Sequence, residues 1–253
     1  MASSTLASVL ASMGTAVGIA TALAPVPTMR SIIAASSIGE YAVLPYIVTF
    51  CQCVLWISYA SVTPGKSELL PVNIFVSVVE FIYVLIFLRY VDPVEEKRRQ
   101  LLKAVSTPFF VTSAIVIIAL FLSSSTASKF LGVFAVLSNI VMYGAPLAAV
   151  RTVIESRSVR YMPFLLSFIG TIASLIWSSW AFVTKDPFVL TPNLIGALLG
   201  FIQLGVYFKY KKIEEDDLMR QRNSSATPMQ PPVSSASTDA TSRHDEESGL
   251  IRK

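Results

Sequence analysis

The chain has a single histidine, His244, and only two cysteines, Cys51 and Cys53, in 253 residues. With the histidine in the polar C-terminal stretch, no His or Cys spacing suits a metal, and no Ser–His or Cys–His arrangement suits nucleophilic catalysis. No cofactor is expected, and an enzyme is excluded. The cysteines stand two apart in one apolar run, where a helix points them in different directions, so they cannot bridge each other. Charge is also scarce, at 14% of residues against 53% hydrophobic, a balance too apolar for a soluble domain of this size.

What fills the sequence is long apolar runs. Seven stretches of about 20 residues read as transmembrane helices: 6–27, 42–61, 69–91, 104–122, 130–150, 162–183 and 189–210. No Lys or Arg precedes the first, so it reads as a span and not as a cleaved signal. Twelve basic residues flank one side of these runs (Arg30; Arg89, Lys97, Arg98, Arg99, Lys103; Arg151, Arg157, Arg160; Lys209, Lys211, Lys212). The other side has three, Lys66, Lys129 and Lys185. The richer side is assigned to the cytosol, which puts the N-terminus outside and the C-terminus inside. The net charge of +4 reflects this bias and does not point to nucleic acid.

The spans are organised by a repeat. Residues 24–33 read APVPTMRSII and residues 145–154 read APLAAVRTVI. Each copy leads to a proline at the head of an apolar run (Pro45, Pro163), then a tryptophan (Trp56, Trp177), then an asparagine early in another run (Asn73, Asn193). Three helices are an odd number, so a second copy in the same orientation needs one extra crossing, and the fourth run supplies it. The fold class is therefore all-α integral membrane, with two parallel three-helix repeats related by an axis along the membrane normal. The expected division is 1–91 for the first repeat, 92–125 for a loop and linker helix, 126–212 for the second repeat, and 213–253 for a disordered cytosolic tail. Gly14, Gly18, Gly196 and Gly200 fall at spacings that let helix backbones approach closely.

Depth along the spans groups the repeated residues. Pro25, Pro45, Pro146 and Pro163 fall toward the cytosolic ends, where proline removes a backbone hydrogen bond and bends a membrane helix. Trp56 and Trp177 fall about 8–9 Å from the outer ends of their helices, and Asn73 and Asn193 about 6 Å. Two amides that donate and accept, with two flat rings, suit a sugar. Glu80 is the one acid deep in a span, an ionisable group of the kind that marks function in a membrane, and the second repeat has Gly200 at the matching position. In the tail, Glu246 stands four residues before Leu250-Ile251, an acidic dileucine sorting pattern short enough to arise by chance.

Taken together, APVPT, LPY, Trp56-x-x-Tyr59, YVLIFL, YGAPL, SRSVRYMPF, KDPF and PNLIG resemble the SWEET family of sugar facilitators, within the wider PQ-loop group, over residues 10–212. The resemblance implies passive, bidirectional transport of glucose-like monosaccharides, with sucrose as a further candidate, by alternating access. It implies that Asn73, Asn193, Trp56 and Trp177 form the sugar pocket, with Gln52, Ser138, Met142 and Ala173 tuning its size. It gives Pro25, Pro45, Pro146 and Pro163 the role of cytosolic hinges and Tyr59 and Asp186 that of an outer gate. Assembly into homo-oligomers follows from the same resemblance. The lipid environment is either the plasma membrane or, if the tail signal is read, a vacuolar or endosomal membrane. Two rival readings have their own signatures. A proton-coupled PQ-loop carrier of another solute needs membrane acids, of which Glu80 is the sole candidate. A seven-helix receptor shares the topology but has no use for the repeat.

Overall fold

Proline and the small residues set where helices start and how closely they pack. The computed structural model describes residues 2–91 and 95–225, which are helical with no strand among them. The helices are α1 (Ala2–Leu23), α2 (Val26–Ala35), α3 (Leu44–Val62), α4 (Leu70–Tyr90), α5 (Glu95–Leu120), α6 (Ser124–Met142), α7 (Gly144–Ser156), α8 (Phe164–Val183) and α9 (Pro187–Ser225). Seven segments are long and apolar enough to cross a membrane, because α1 and α2 form one span and α6 and α7 another. The spans carry many large apolar side chains outward: Leu120, Phe182 and Val141 are among the most exposed. In water that would be a fault; facing lipid it is what a membrane protein needs.

Two expected helix ends move. The first run continues past Pro25 to Ala35, and the fifth past Pro146 to Ser156, each interrupted near its proline. The exposed arginines Arg30 and Arg151 had marked loops in the sequence, yet each rides on the outer face of a short helix whose other face buries Met29 and Ile32, or Val153. The prolines thus stand in or just before the first turn of a helical segment, where a missing N–H costs little. They mark breaks and starts more than mid-helix bends.

The expected tail boundary at 213 also moves. Helix α9 runs on to Ser225 through KKIEEDDLMRQRNSS, because Lys, Glu, Leu, Met, Arg and Gln are strong helix formers even without an apolar face. The described residues up to Glu214 pack as one compact unit; those beyond belong to a second. Glu246, Leu250 and Ile251 lie outside the described residues.

The repeat is written into the backbone as well as the sequence. Left-handed residues occur at Ser36 (φ 50°) and Arg157 (φ 52°), which close α2 and α7, and at Gly65 (φ 73°) and Lys185 (φ 52°), in the turns before α4 and α9. Each pair is about 120 positions apart, the offset of the sequence repeat. Packing between the two repeats is crossed: α1 lies on α8, and α3 lies on α6. Alanines Ala7, Ala11, Ala127, Ala135 and Ala181 are buried where these helices meet around Trp180 and Tyr59, so the backbones approach without bulky side chains. Gly14 is needed for the same reason: a Cβ there would lie 2.6 Å from the Trp177 ring. Helix α5 packs against α3, α4 and α6, and its Leu101 joins an inner core of Met29, Ile47, Tyr83 and Phe87 on the first unit.

Candidate functional site

Between the crossed helices lies a cavity of about 180 Å³ lined by Gln52, Trp56, Asn73, Asn139, Trp177 and Asn193, with Leu69, Val72 and Val189. Helix α3 contributes Gln52 and Trp56, one turn apart; α8 contributes Trp177; α4 contributes Asn73, α9 Asn193 and α6 Asn139. The two amides are held alike. Asn73 Nδ2 donates to the Leu69 carbonyl at 2.8 Å and Asn193 Nδ2 to the Val189 carbonyl at 2.8 Å, four residues back in each helix. An amide has two donors and an acceptor, so each keeps capacity for a ligand. Trp56 is buried and meets Tyr59 edge-on with ring centres 5.6 Å apart; Trp177 meets Trp180 edge-on at 5.8 Å.

The cavity is less symmetric than the repeat. Gln52 Nε2 donates to Asn139 Oδ1 at 2.5 Å, joining α3 to α6, and Asn139 in turn donates to the Ala135 carbonyl at 3.0 Å. The positions that match Gln52 and Asn139 in the other units are Ala173 and Gly18, which offer no polar side chain. One wall is a polar crossbar; the other is bare. Ser138, Met142 and Ala173 do not line this cavity. Ser138 turns its hydroxyl back to the Ala135 carbonyl at 2.8 Å, and Met142 ends α6 at the break before α7.

The mouth that the charge distribution assigns to the outside is shut by a charged cluster. Lys66 Nζ lies 3.1 Å from Asp186 and 3.1 Å from the Thr184 carbonyl. Tyr59 Oη donates to the same carboxylate at 3.0–3.1 Å. Asp186, 1% exposed, also caps α9 by accepting from the backbone N–H groups of Phe188 (3.0 Å) and Val189 (3.1 Å). Tyr59 and Asp186, paired by the sequence reading, are therefore in contact. Lys66, one of the three basic residues assigned to the outer side, joins them as the cation of the cluster. The sequence reading left out Trp180, which is fully buried, donates from Nε1 to Glu68 at 2.7 Å, and lies under the Lys66 ammonium at 5.3 Å. Trp180 could have been found, since it stands 121 positions after Tyr59. Asn139 could not be found that way, because its counterpart, Gly18, has no side chain to match.

Glu80 is buried in α4, away from the cavity, and its Oε2 has no hydrogen-bond partner.

Comparison with known proteins agrees with this architecture. A family profile described as "Sugar efflux transporter for intercellular exchange" matches residues 8–94 and again residues 129–215, one match per repeat. The chain belongs to the SWEET family. Among its relatives is the bidirectional sugar transporter SWEET16 of Arabidopsis thaliana, 36% identical over 208 residues that span 80% of this chain and 88% of that protein. The bidirectional sugar transporter SWEET17 of the same plant is 37% identical over 79% of this chain and 83% of its own length. A solved eukaryotic SWEET transporter superimposes with a TM-score of 0.77 at 25% identity, covering 84% of this chain and all of that one.

Proposed function

We propose that this multi-pass membrane protein is a bidirectional sugar facilitator that works by alternating access. The observation that supports it most is the cavity itself, where a matched pair of asparagines (Asn73, Asn193) and a matched pair of indoles (Trp56, Trp177), one of each from either repeat, sit beneath a mouth latched by Lys66, Asp186 and Tyr59. Hydroxyl groups of a sugar exchange hydrogen bonds with Asn73 and Asn193, and its C–H faces lie against Trp56 and Trp177. Gln52 and Asn139 narrow one side, which favours a monosaccharide over sucrose. The two repeats rock about this layer; Pro25, Pro45, Pro146 and Pro163 serve as hinges at the opposite end, and Tyr59 with Asp186 as the outer gate. The basic flanks support a cytosolic C-terminus in the plasma membrane or, through Glu246, Leu250 and Ile251, an endosomal or vacuolar one. Assembly into homo-oligomers belongs to the same reading.

No ion is needed for this cycle. A pump requires a bound ion whose affinity differs between states, and Glu80, the acid deep in a span, is matched by Gly200 in the second repeat. Purified protein in proteoliposomes is expected to carry glucose down its gradient, with flux that reverses when the gradient does. The buried Glu80 supports the competing reading of a proton-coupled carrier. Uphill glucose accumulation driven by a pH gradient, and lost in Glu80→Gln, would favour that reading and overturn passive transport.

A further inference from the structure

Against the latched mouth lies a second, larger hollow of about 550 Å³, lined in part by the Lys66–Asp186 pair itself. Its charge is unbalanced. Lys66, Lys129 and Lys185 line it with a single carboxylate, Asp186. That carboxylate is already committed to Lys66, Tyr59 and two backbone donors of α9. Lys129 and Lys185 are exposed, and neither forms an ion pair among the described residues. Ser125 and Ser128 share the wall, the Ser128 hydroxyl being hydrogen-bonded to that of Thr63 at 2.8 Å with one further bond to give. The backbone adds a further sign. Lys185 holds a left-handed conformation (φ 52°) at the position where the first repeat has Gly65 (φ 73°). Side chains are disfavoured there, and glycine would suit the turn better. A neutral sugar has no use for two surplus ammonium groups; an anion with several oxygens does.

We infer that this hollow is a binding site for a phosphate group, held by Lys129 and Lys185 with the serine hydroxyls, and by the donor that Lys66 keeps free of its two contacts. The three lysines come from three separate elements: the turn before α4, the first turns of α6, and the turn before α9. A phosphate held by all three ties the two repeats together at the mouth. It therefore binds the closed mouth more tightly than the open one and shifts the cycle toward closure. The site is thus an inhibitory one, and its ligand is not carried. The phosphate can come from a soluble ester or inorganic phosphate, or from an anionic lipid headgroup at the membrane surface.

The test uses full-length protein and the double variant Lys129→Gln/Lys185→Asn; asparagine is chosen because it tolerates the left-handed backbone. Thermal unfolding in detergent is followed with inorganic phosphate, with glucose 6-phosphate, and with chloride at equal ionic strength. Phosphate, and not chloride, is expected to raise the Tm of the parent and leave the variant unmoved. In phosphatidylcholine proteoliposomes, external phosphate is expected to slow glucose flux in the parent. The half-inhibitory concentration should rise roughly tenfold or more in the variant, the loss of one or more charge-assisted bonds. A parallel arm adds phosphatidic acid to the vesicles. Slower flux there, in the parent alone, assigns the site to lipid instead of solute. The inference is overturned if neither source affects the parent, or if parent and variant respond alike. The Tm measurement does not depend on transport, so it still decides the site if the sugar reading fails.

Discussion

Lys66 and Asp186, 3.1 Å apart, occupy the same position in the two repeats. Their aromatic neighbours follow the same rule. Tyr59 of the first repeat bonds to Asp186 of the second, and Trp180 of the second lies against Lys66 of the first. The pseudo-two-fold axis therefore passes through the ion pair, and the duplicated unit became a latch by taking opposite charges at one position.

This makes the charges partly interchangeable. Lys66→Ala should be strongly destabilising, because it leaves a fully buried Asp186 carboxylate without its cation; breaking a buried pair from one side costs roughly 3–5 kcal/mol. The reciprocal exchange Lys66→Asp with Asp186→Lys should recover much of the lost Tm. Recovery stops short by about 1 kcal/mol, since lysine at 186 cannot cap α9. Thermal unfolding of the single and double variants checks this. An exchange no more stable than Lys66→Ala would mean that the axis is not functional at this point.

Asn73→Ala and Asn193→Ala should each abolish glucose flux while protein abundance stays at the parent level. Each removes hydrogen bonds to a buried hydroxyl, at roughly 1–3 kcal/mol for each group left unpaired. Because the two amides are held in the same way, the two losses should be similar in size. Uptake in yeast lacking its own hexose carriers gives the comparison, and normal transport by either variant removes that asparagine from the pocket.

Size selection should depend on the crossbar between Gln52 and Asn139. Asn139→Ala removes the partner of Gln52 and lets it swing aside, so sucrose flux should rise relative to glucose flux. Competition between labelled glucose and unlabelled sucrose measures the ratio. Equal fluxes of the two sugars in the parent would show that the crossbar does not select.

Gly14→Ala should impair the protein through packing alone. The added methyl meets the Trp177 ring at 2.6 Å, so α1 and α8 must separate or the ring must turn. Overpacking of this kind costs about 1–3 kcal/mol. A lower Tm together with weaker sugar binding is expected, because the displaced ring lines the cavity. A Tm equal to the parent's would show that Trp177 has room to move.

The sequence made the repeat legible, and with it the seven spans and the four residues that come in matched pairs. Asn73 with Asn193 and Trp56 with Trp177 needed only the offset and the depth to be grouped, and they do line one cavity. What escaped has a physical reason in each case. Helices α2 and α7 were hidden because Arg30 and Arg151 look like loop residues, although a short helix can bury one face and expose a charge on the other. Asn139 was hidden because a repeat points only to residues that have counterparts. The polar end of α9 was hidden because helix propensity does not show up in hydropathy. The contact of Lys66 with Asp186 depends on crossed packing between repeats, which neither sequence segment encodes alone.

The two halves of the latch differ in what they give up when it opens. Asp186 is anchored: after Lys66 leaves, its carboxylate still accepts from two backbone donors at the start of α9, where the helix dipole also favours negative charge. Lys66 is held otherwise only by the Thr184 carbonyl and the face of Trp180, both on the far side of the latch, and it sits next to Gly65, whose left-handed backbone is freely adopted only by glycine. The aspartate is thus a fixed catch and the lysine a moving tongue. Opening should begin in the turn between α3 and α4, with the turn before α9 standing still.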